Sequence, residues 1–215
     1  MRRVGIPGGV GPEATILIMQ KVLAAVTARD DADHIPLLVD QNPQVPSRRL
    51  VAGGAEALAI PCNTAHHYAA TIRAAVSVPL LDMVETSAAH AAALAGPGGR
   101  IGVLASPAVR KVGLFDAPFA RHGLTGYYAE DETAMLAAIR QLKASGPQPE
   151  ARQTLTAASQ ALFERGAKVQ MIACTEFSLI VASVSGQARA FDTLDILVSA
   201  IKDFALFRGA EGVLR

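Results

Sequence analysis

At 215 residues and 22.4 kDa, the chain can form one large α/β domain or two of about 100 residues each, and it is too long to depend on disulfide or metal staples. Hydrophobic residues make up 51% and charged residues 18%, a globular composition that excludes intrinsic disorder, collagen and coiled coil. Lys+Arg 20 against Asp+Glu 19 gives a net charge of +1, and no basic cluster exceeds a pair such as Arg48-Arg49, so neither a nucleic-acid nor an anionic-membrane partner is expected.

No apolar run is long enough to span a membrane, and the one after Met1-Arg2-Arg3 is too short for a signal peptide, so a cytoplasmic location is expected. Aromatic residues are 5% and Trp is absent, which leaves Ala, Val, Leu and Ile to build the core. The only cysteines are Cys62 and Cys174. In a reducing compartment they predict no disulfide, and without matching histidines they make a poor zinc site, so no metal is expected.

Arg3-Val4-Gly5-Ile6 reads as a strand running into the loop Pro7-Gly8-Gly9-Val10-Gly11-Pro12-Glu13. Apolar residues then recur at Ile16, Met19, Leu23 and Val26, the spacing of a helix, with Pro12 and Glu13 suited to its first turn. His34 to Val39 reads as a second strand ending at Asp40, followed by the turn-rich Gln41-Asn42-Pro43-Gln44-Val45-Pro46-Ser47-Arg48. Ala57 to Ile60 is a third strand, running into Pro61-Cys62-Asn63-Thr64 and a helix. Alternating strands and helices predict parallel sheets with covered faces.

The pattern occurs twice. Arg100-Ile101-Gly102-Val103-Leu104 restarts it after the linker-like Gly96-Pro97-Gly98-Gly99. Gly54 to Cys62 corresponds to Gly166 to Cys174, and each cysteine is followed by a run ending in Asp, at Asp82 and Asp192. Two copies of one α/β unit are the simplest reading, divided as residues 1–95 with 187–215 and residues 96–186. The copies differ in length: Arg3 to Cys62 spans 59 positions and Arg100 to Cys174 spans 74. The junction after Arg48 leaves little room for the crossover helix of a parallel connection, from either a deletion or a stretch absent from the sequence.

A cysteine at the carboxyl end of a parallel strand stands at the mouth of the crevice where α/β sheets bind ligands. Asn63-Thr64 and Thr175-Glu176 open the following helices, whose N–H groups and dipole are expected to lower the thiol pKa from about 8.5 toward neutrality. If the two units face each other, Cys62 and Cys174 flank one bound molecule: one thiolate removes a proton and the opposite thiol delivers one. Glu176 is placed to exchange a proton with Cys174. Either His66 or His67 supports the pocket, or both are half-exposed helix histidines.

Gly8-Gly9-Val10-Gly11-Pro12-Glu13-Ala14-Thr15, Asn42-Pro43-Gln44-Val45-Pro46-Ser47-Arg48, Pro61-Cys62-Asn63-Thr64-Ala65-His66 and Cys174-Thr175-Glu176 resemble the aspartate racemase branch of the aspartate/glutamate racemase superfamily over nearly the whole chain. The resemblance implies two similar Rossmann-like α/β domains related by a pseudo-twofold axis with the active site between them, a homodimer, and catalysis without pyridoxal phosphate or other cofactor. It implies an amino-acid racemase, for aspartate or also for glutamate, with Cys62 and Cys174 as the acid–base pair that removes and returns the α-proton. It further implies Arg48 and Lys143 for a side-chain carboxylate, with Asn63, Thr64 and Thr175 on the α-carboxylate and amino group. The glycines around Gly9 either bring backbone close to the substrate or simply make a tight turn. Ser106-Pro107-Ala108-Val109 stands where relatives often carry a Thr-Gly-Thr-like turn, and Ala173 replaces a common glycine before Cys174. Two other readings compete. One is an inactive or regulatory amino-acid-binding protein on the same scaffold. The other is a nucleotide-binding oxidoreductase, since Gly9 to Ala14 satisfies G-x-G-x-x-G/A.

Overall fold

The structure, a computed structural model, describes residues 1–42 and 48–207. Two four-stranded sheets are seen, and every strand pair in them is parallel. The first contains β1 (Val4–Gly8), β2 (Leu37–Gln41), β3 (Ala57–Ala59) and β4 (Leu80–Leu81) in the order β2-β1-β3-β4. The second contains β5 (Arg100–Ala105), β6 (Thr125–Tyr128), β7 (Val169–Ala173) and β8 (Arg189–Asp192) in the order β6-β5-β7-β8. The same strand order in both halves is the duplication expressed as topology, and the architecture is the expected α/β fold.

Each opening strand carries a glycine where neighbouring side chains lie close. A Cβ on Gly5 would stand 2.9 Å from Ala55 Cβ and from Leu58 Cδ2, and one on Gly102 would stand 2.9 Å from Gln170 Cγ. Leu50 of α2 (Arg48–Ala52) packs with Ala55, Leu58 and Ile60 in the same small cluster. This short helix makes the β2 to β3 crossover that the sequence left little room for, whereas α7 (Glu132–Ser145) and α8 (Pro149–Glu164) together fill the same place in the second half. That connection is 25 residues longer in the second half, 129–168 against 42–56, and a shorter β5 to β6 connection offsets part of the excess. The turn residues 43–47, on which the Asn-Pro-Gln-Val-Pro-Ser-Arg motif depends, lie outside the described residues.

Helix α1 (Pro12–Ala24) buries Ala14, Thr15, Ile18 and Val22, whereas Ile16, Met19 and Leu23 are exposed. The face is therefore not the one the apolar spacing predicted. The segment is apolar nearly all round, so periodicity alone does not choose a face. The buried side is the one whose Ile18 and Val22 join Val4 and Ile6 in the core, and the Thr15 hydroxyl on that side accepts from the Gly9 N–H at 3.2 Å, tying it to the loop.

The halves are joined by exchanged helices. α4 (Met83–Ala95) follows the first sheet, yet its Val84, Ala88 and Ala91 pack with Ile101, Val103 and Met171 of the second. α9 (Thr193–Leu206) follows the second sheet, and its Leu194, Leu197, Val198 and Ile201 pack with Val4, Ile6 and Ala59 of the first. The two helices also pack on each other. Each apolar stripe has helical spacing, and removal of such side chains from water is worth about 1.5–3 kcal/mol apiece, so separating the halves exposes a substantial part of both cores. The described part of the last segment, 187–207, is thus shared, with β8 in the second sheet and α9 on the first. Among the described residues no helix is long and apolar enough to cross a membrane.

Asp82 and Asp192, equivalent in the two copies, cap α4 and α9. Asp192 is 3% exposed and its carboxyl is pushed up to about 6 by burial, with Leu194 N–H, the Ser178 hydroxyl and Lys21 acting in the opposite direction. A group raised in the folded state favours folding most below its unfolded value, here 3.8, and that contribution is lost as pH rises through about 6. Urea unfolding at pH 4.5 and pH 7 is therefore expected to show the stability of the wild type, measured relative to Asp192→Asn, falling by on the order of 2 kcal/mol between the lower and the higher pH. A difference that does not change with pH would rule this out.

Candidate active site

Both cysteines lie just beyond the carboxyl ends of equivalent strands, Cys62 after β3 and Cys174 directly after β7. Cys62 is half-buried and its N–H closes a tight turn on Ile60 O at 2.8 Å. Cys174 is buried, and its thiol donates to Glu176 Oε2 at 2.9 Å. The other carboxylate oxygen, Oε1, lies 3.1 Å from Lys143 Nζ. A Cβ on Gly11 would stand 3.4 Å from the same Oε1, so Glu176 of the second half lies against the glycine loop of the first. Cys62, Cys174, Glu176 and Lys143 all act on one another electrostatically. The fold brings these four together in one group at the junction of the two sheets.

The sulfurs are not the low-pKa thiols that their loop positions suggested. Burial pushes Cys62 up, although the Ala65 and Thr64 N–H groups and Lys143 favour its thiolate. Burial pushes Cys174 well above its ordinary value, and the adjacent Glu176 carboxylate raises it further by repelling the thiolate and accepting the thiol's hydrogen bond. Both thiols are therefore protonated in the free protein at neutral pH, because desolvation outweighs the few N–H groups aimed at each sulfur. For Lys143, burial acts downward, but the Glu176 carboxylate wins and holds the ammonium above its usual value.

The remaining predicted residues are distributed as follows. Asn63 is 2% exposed and does not cap the following 3₁₀ segment (Thr64–Tyr68) with its side chain. Its Nδ2 instead donates to Thr193 Oγ1 at 2.9 Å, and its Oδ1 is buried with no partner among the described residues. Thr64, two residues after Cys62, is half-buried, and Thr175, directly after Cys174, is 4% exposed. Gly9 is half-buried in the β1 to α1 loop with its N–H already taken by Thr15, which leaves that donor unavailable for the pyrophosphate of a dinucleotide. Arg48 opens α2, exposed, and forms no ion pair among the described residues. Among the described residues no group of three His, Cys, Asp or Glu side chains is placed to hold a metal ion.

Three residues hold the loops around the site through hydrogen bonds that their sequence context did not indicate. Thr193 receives Asn63 and donates to Ile172 O at 2.9 Å; it follows Asp192 in the duplicated strand-to-Asp run, the one signal that could have marked it. Thr15 shapes the glycine loop. His66 is 5% exposed and bonded at both ring nitrogens, whereas His67 is exposed.

Two protonated thiols thus stand at matched strand ends, with a carboxylate in hydrogen-bond contact with one of them. The chain belongs to the Asp/Glu/hydantoin racemase family, whose profile matches residues 47–201, and it is by that membership an isomerase of the amino-acid racemase kind. The broad specificity amino-acid racemase RacX of Bacillus subtilis (strain 168) is 23% identical, over 88% of this chain and 92% of that protein. The aspartate racemase of Picrophilus torridus has the same fold with a TM-score of 0.78 at 20% identity, covering 95% of this chain and 94% of that one. A putative Asp/Glu racemase from Yersinia pestis matches with a TM-score of 0.78 at 24% identity, covering 96% of this chain and 100% of that one.

Proposed function

We propose that the protein is a cofactor-independent amino-acid racemase of aspartate type in which Cys62 and Cys174 exchange the Cα proton from opposite faces. The observation that carries this reading is the Cys174–Glu176–Lys143 chain of contacts, which shares one electrostatic environment with Cys62 of the other half. In one direction, Cys62 as thiolate takes the Cα proton and the Cys174 thiol gives its proton to the other face. In the reverse direction, Cys174 first passes its proton to Glu176 and then acts as the base. Cys62, half-exposed, exchanges its own proton with water, and its thiolate is held by the Thr64 and Ala65 N–H groups.

The unpartnered Asn63 Oδ1 is an acceptor suited to the substrate ammonium, and the N–H groups near Thr64 and Thr175 suit the α-carboxylate. The Lys143 side chain is 52% exposed, so its ammonium can hold Glu176 and still meet a second carboxylate on the substrate, the feature that favours an acidic amino acid. Arg48 is assigned to that same carboxylate. The working unit is a homodimer in the cytoplasm.

The test is incubation of each enantiomer of aspartate, glutamate and alanine in D₂O, with Cα deuterium and chirality scored together. Deuterium incorporation with inversion, fastest for aspartate, is expected. Inversion fastest for alanine would remove the acidic-substrate assignment. Binding without any exchange would make the chain an amino-acid-binding protein.

A further inference from the structure

We propose that His66 is the positioning residue of Cys62, fixing the loop that carries this thiol to the start of the helix that crosses into the second half. The proposal rests on the racemase reading for its effect on turnover. The Met83 N–H donates to His66 Nε2 at 3.2 Å, so Nε2 carries no proton and Nδ1 must carry one. Nδ1 lies 2.8 Å from Cys62 O, to which it donates. Both partners are backbone groups, so the ring fixes main-chain geometry at each end.

The Met83 N–H is the first open donor of α4. Asp82 Oδ1 already accepts from the next two, Val84 N–H at 2.9 Å and Glu85 N–H at 3.0 Å. His66 therefore completes the cap of a helix whose Val84, Ala88 and Ala91 lie in the core of the second half. Burial holds the imidazole below its ordinary pKa, which keeps the neutral form that can accept at Nε2. With both nitrogens committed to backbone, the ring has no free nitrogen with which to exchange a substrate proton.

The second copy has the same joint in different chemistry. Ser178 stands four residues after Cys174, as His66 stands four after Cys62, and its hydroxyl donates to Asp192 Oδ1 at 3.0 Å, at the start of α9. Each thiol loop is thus tied through its fourth residue to the first turn of the exchanged helix that follows its own sheet. Asn63 adds a tie from the Cys62 loop to Thr193 of α9. Movement of one half against the other is delivered to Cys62 as a shift of its peptide, and His66 is the connection that fixes that shift.

The experiment compares wild type, His66→Phe, which fills the space and removes both bonds, and His66→Gln, which keeps a donor and an acceptor. Three readouts are taken: kcat and KM for racemisation, Cα deuterium uptake from each enantiomer separately, and iodoacetamide labelling of each cysteine mapped by peptide mass spectrometry. For His66→Phe, kcat is expected to fall about 10²-fold, as for a reacting group displaced by about 1 Å, with KM within about threefold. Cys62 labelling is expected to change about fivefold or more while Cys174 labelling does not, and deuterium uptake is expected to persist for the one enantiomer served by Cys174. His66→Gln is expected to recover most of both losses. A folded His66→Phe with unchanged kcat, or with both cysteines altered alike, overturns the proposal. If the wild type exchanges no amino acid, the functional reading fails on its own and the labelling comparison still decides the role of His66. Should His66→Phe not fold, His66→Asn, with a shorter amide, must show the same split between the two thiols or the proposal falls.

Discussion

Cys174→Ser is expected to slow racemisation by about 10³-fold or more, and Cys62→Ser by a similar factor, because proton transfer by a positioned group contributes about 10²–10⁴-fold and each enantiomer needs both groups in one turnover. Serine is close to cysteine in size, and in Cys174→Ser the new hydroxyl can still donate to Glu176, so packing and the local hydrogen bond survive. What is lost is acidity: burial that raises a thiol acts equally on a hydroxyl, which starts far higher and does not ionise. The informative readout is the ratio of exchange to inversion. In the Cys62 variant, the Cys174–Glu176 pair still removes a proton from its own face and returns solvent deuterium to that face, so exchange without inversion is expected from one enantiomer. The Cys174 variant should show the opposite preference. Circular dichroism and chiral chromatography follow inversion, and Cα deuterium is read by mass spectrometry. Full activity in either variant, or the same exchange preference in both, would sink the two-thiol mechanism.

Much of this arrangement was legible because the chain repeats itself. Matching strand, cysteine and Asp positions in the two copies predicted two like parallel sheets and a thiol at the same place on each, and both sheets have the order second, first, third, fourth strand. The face of α1 was not legible, since Ile16, Met19 and Leu23 alternate with equally apolar neighbours, of which Ile18 and Val22 are the ones that enter the core. Nor was the exchange of α4 and α9, because an apolar stripe states that a helix is buried without naming the sheet that buries it.

The thiol environment was misread for a related reason. A helix start beside a cysteine is visible in sequence as a source of N–H groups, but the depth of burial that outweighs them is a property of the assembled halves. Asn63 illustrates the same limit. Its place directly after Cys62 is plain in the sequence, but its partner, Thr193, lies 130 positions away. His66 was indistinguishable from His67 in sequence, and only the start of α4 folding over it makes the two different.

Glu176→Gln separates acidity from turnover at Cys174. The Glu176 carboxylate raises the thiol in two ways, by repelling the thiolate and by accepting the hydrogen bond of the neutral form. Glutamine keeps the shape, removes the charge and offers at most a weaker acceptor, so the Cys174 pKa is expected to fall. Measured in a Cys62→Ser background by the ultraviolet absorbance of the thiolate, the titration should move to lower pH. If Glu176 only suppressed the thiolate, turnover at neutral pH would rise with it. If Glu176 receives the proton of Cys174 and hands it back, racemisation should instead fall by about 10²-fold in the Cys62-containing enzyme, despite the more acidic thiol. Glu176→Asp, which retains charge but shortens the reach to a sulfur now 2.9 Å away, should lie between the two. A more acidic Cys174 accompanied by faster racemisation in Glu176→Gln would mean that the carboxylate restrains this thiol rather than serving it.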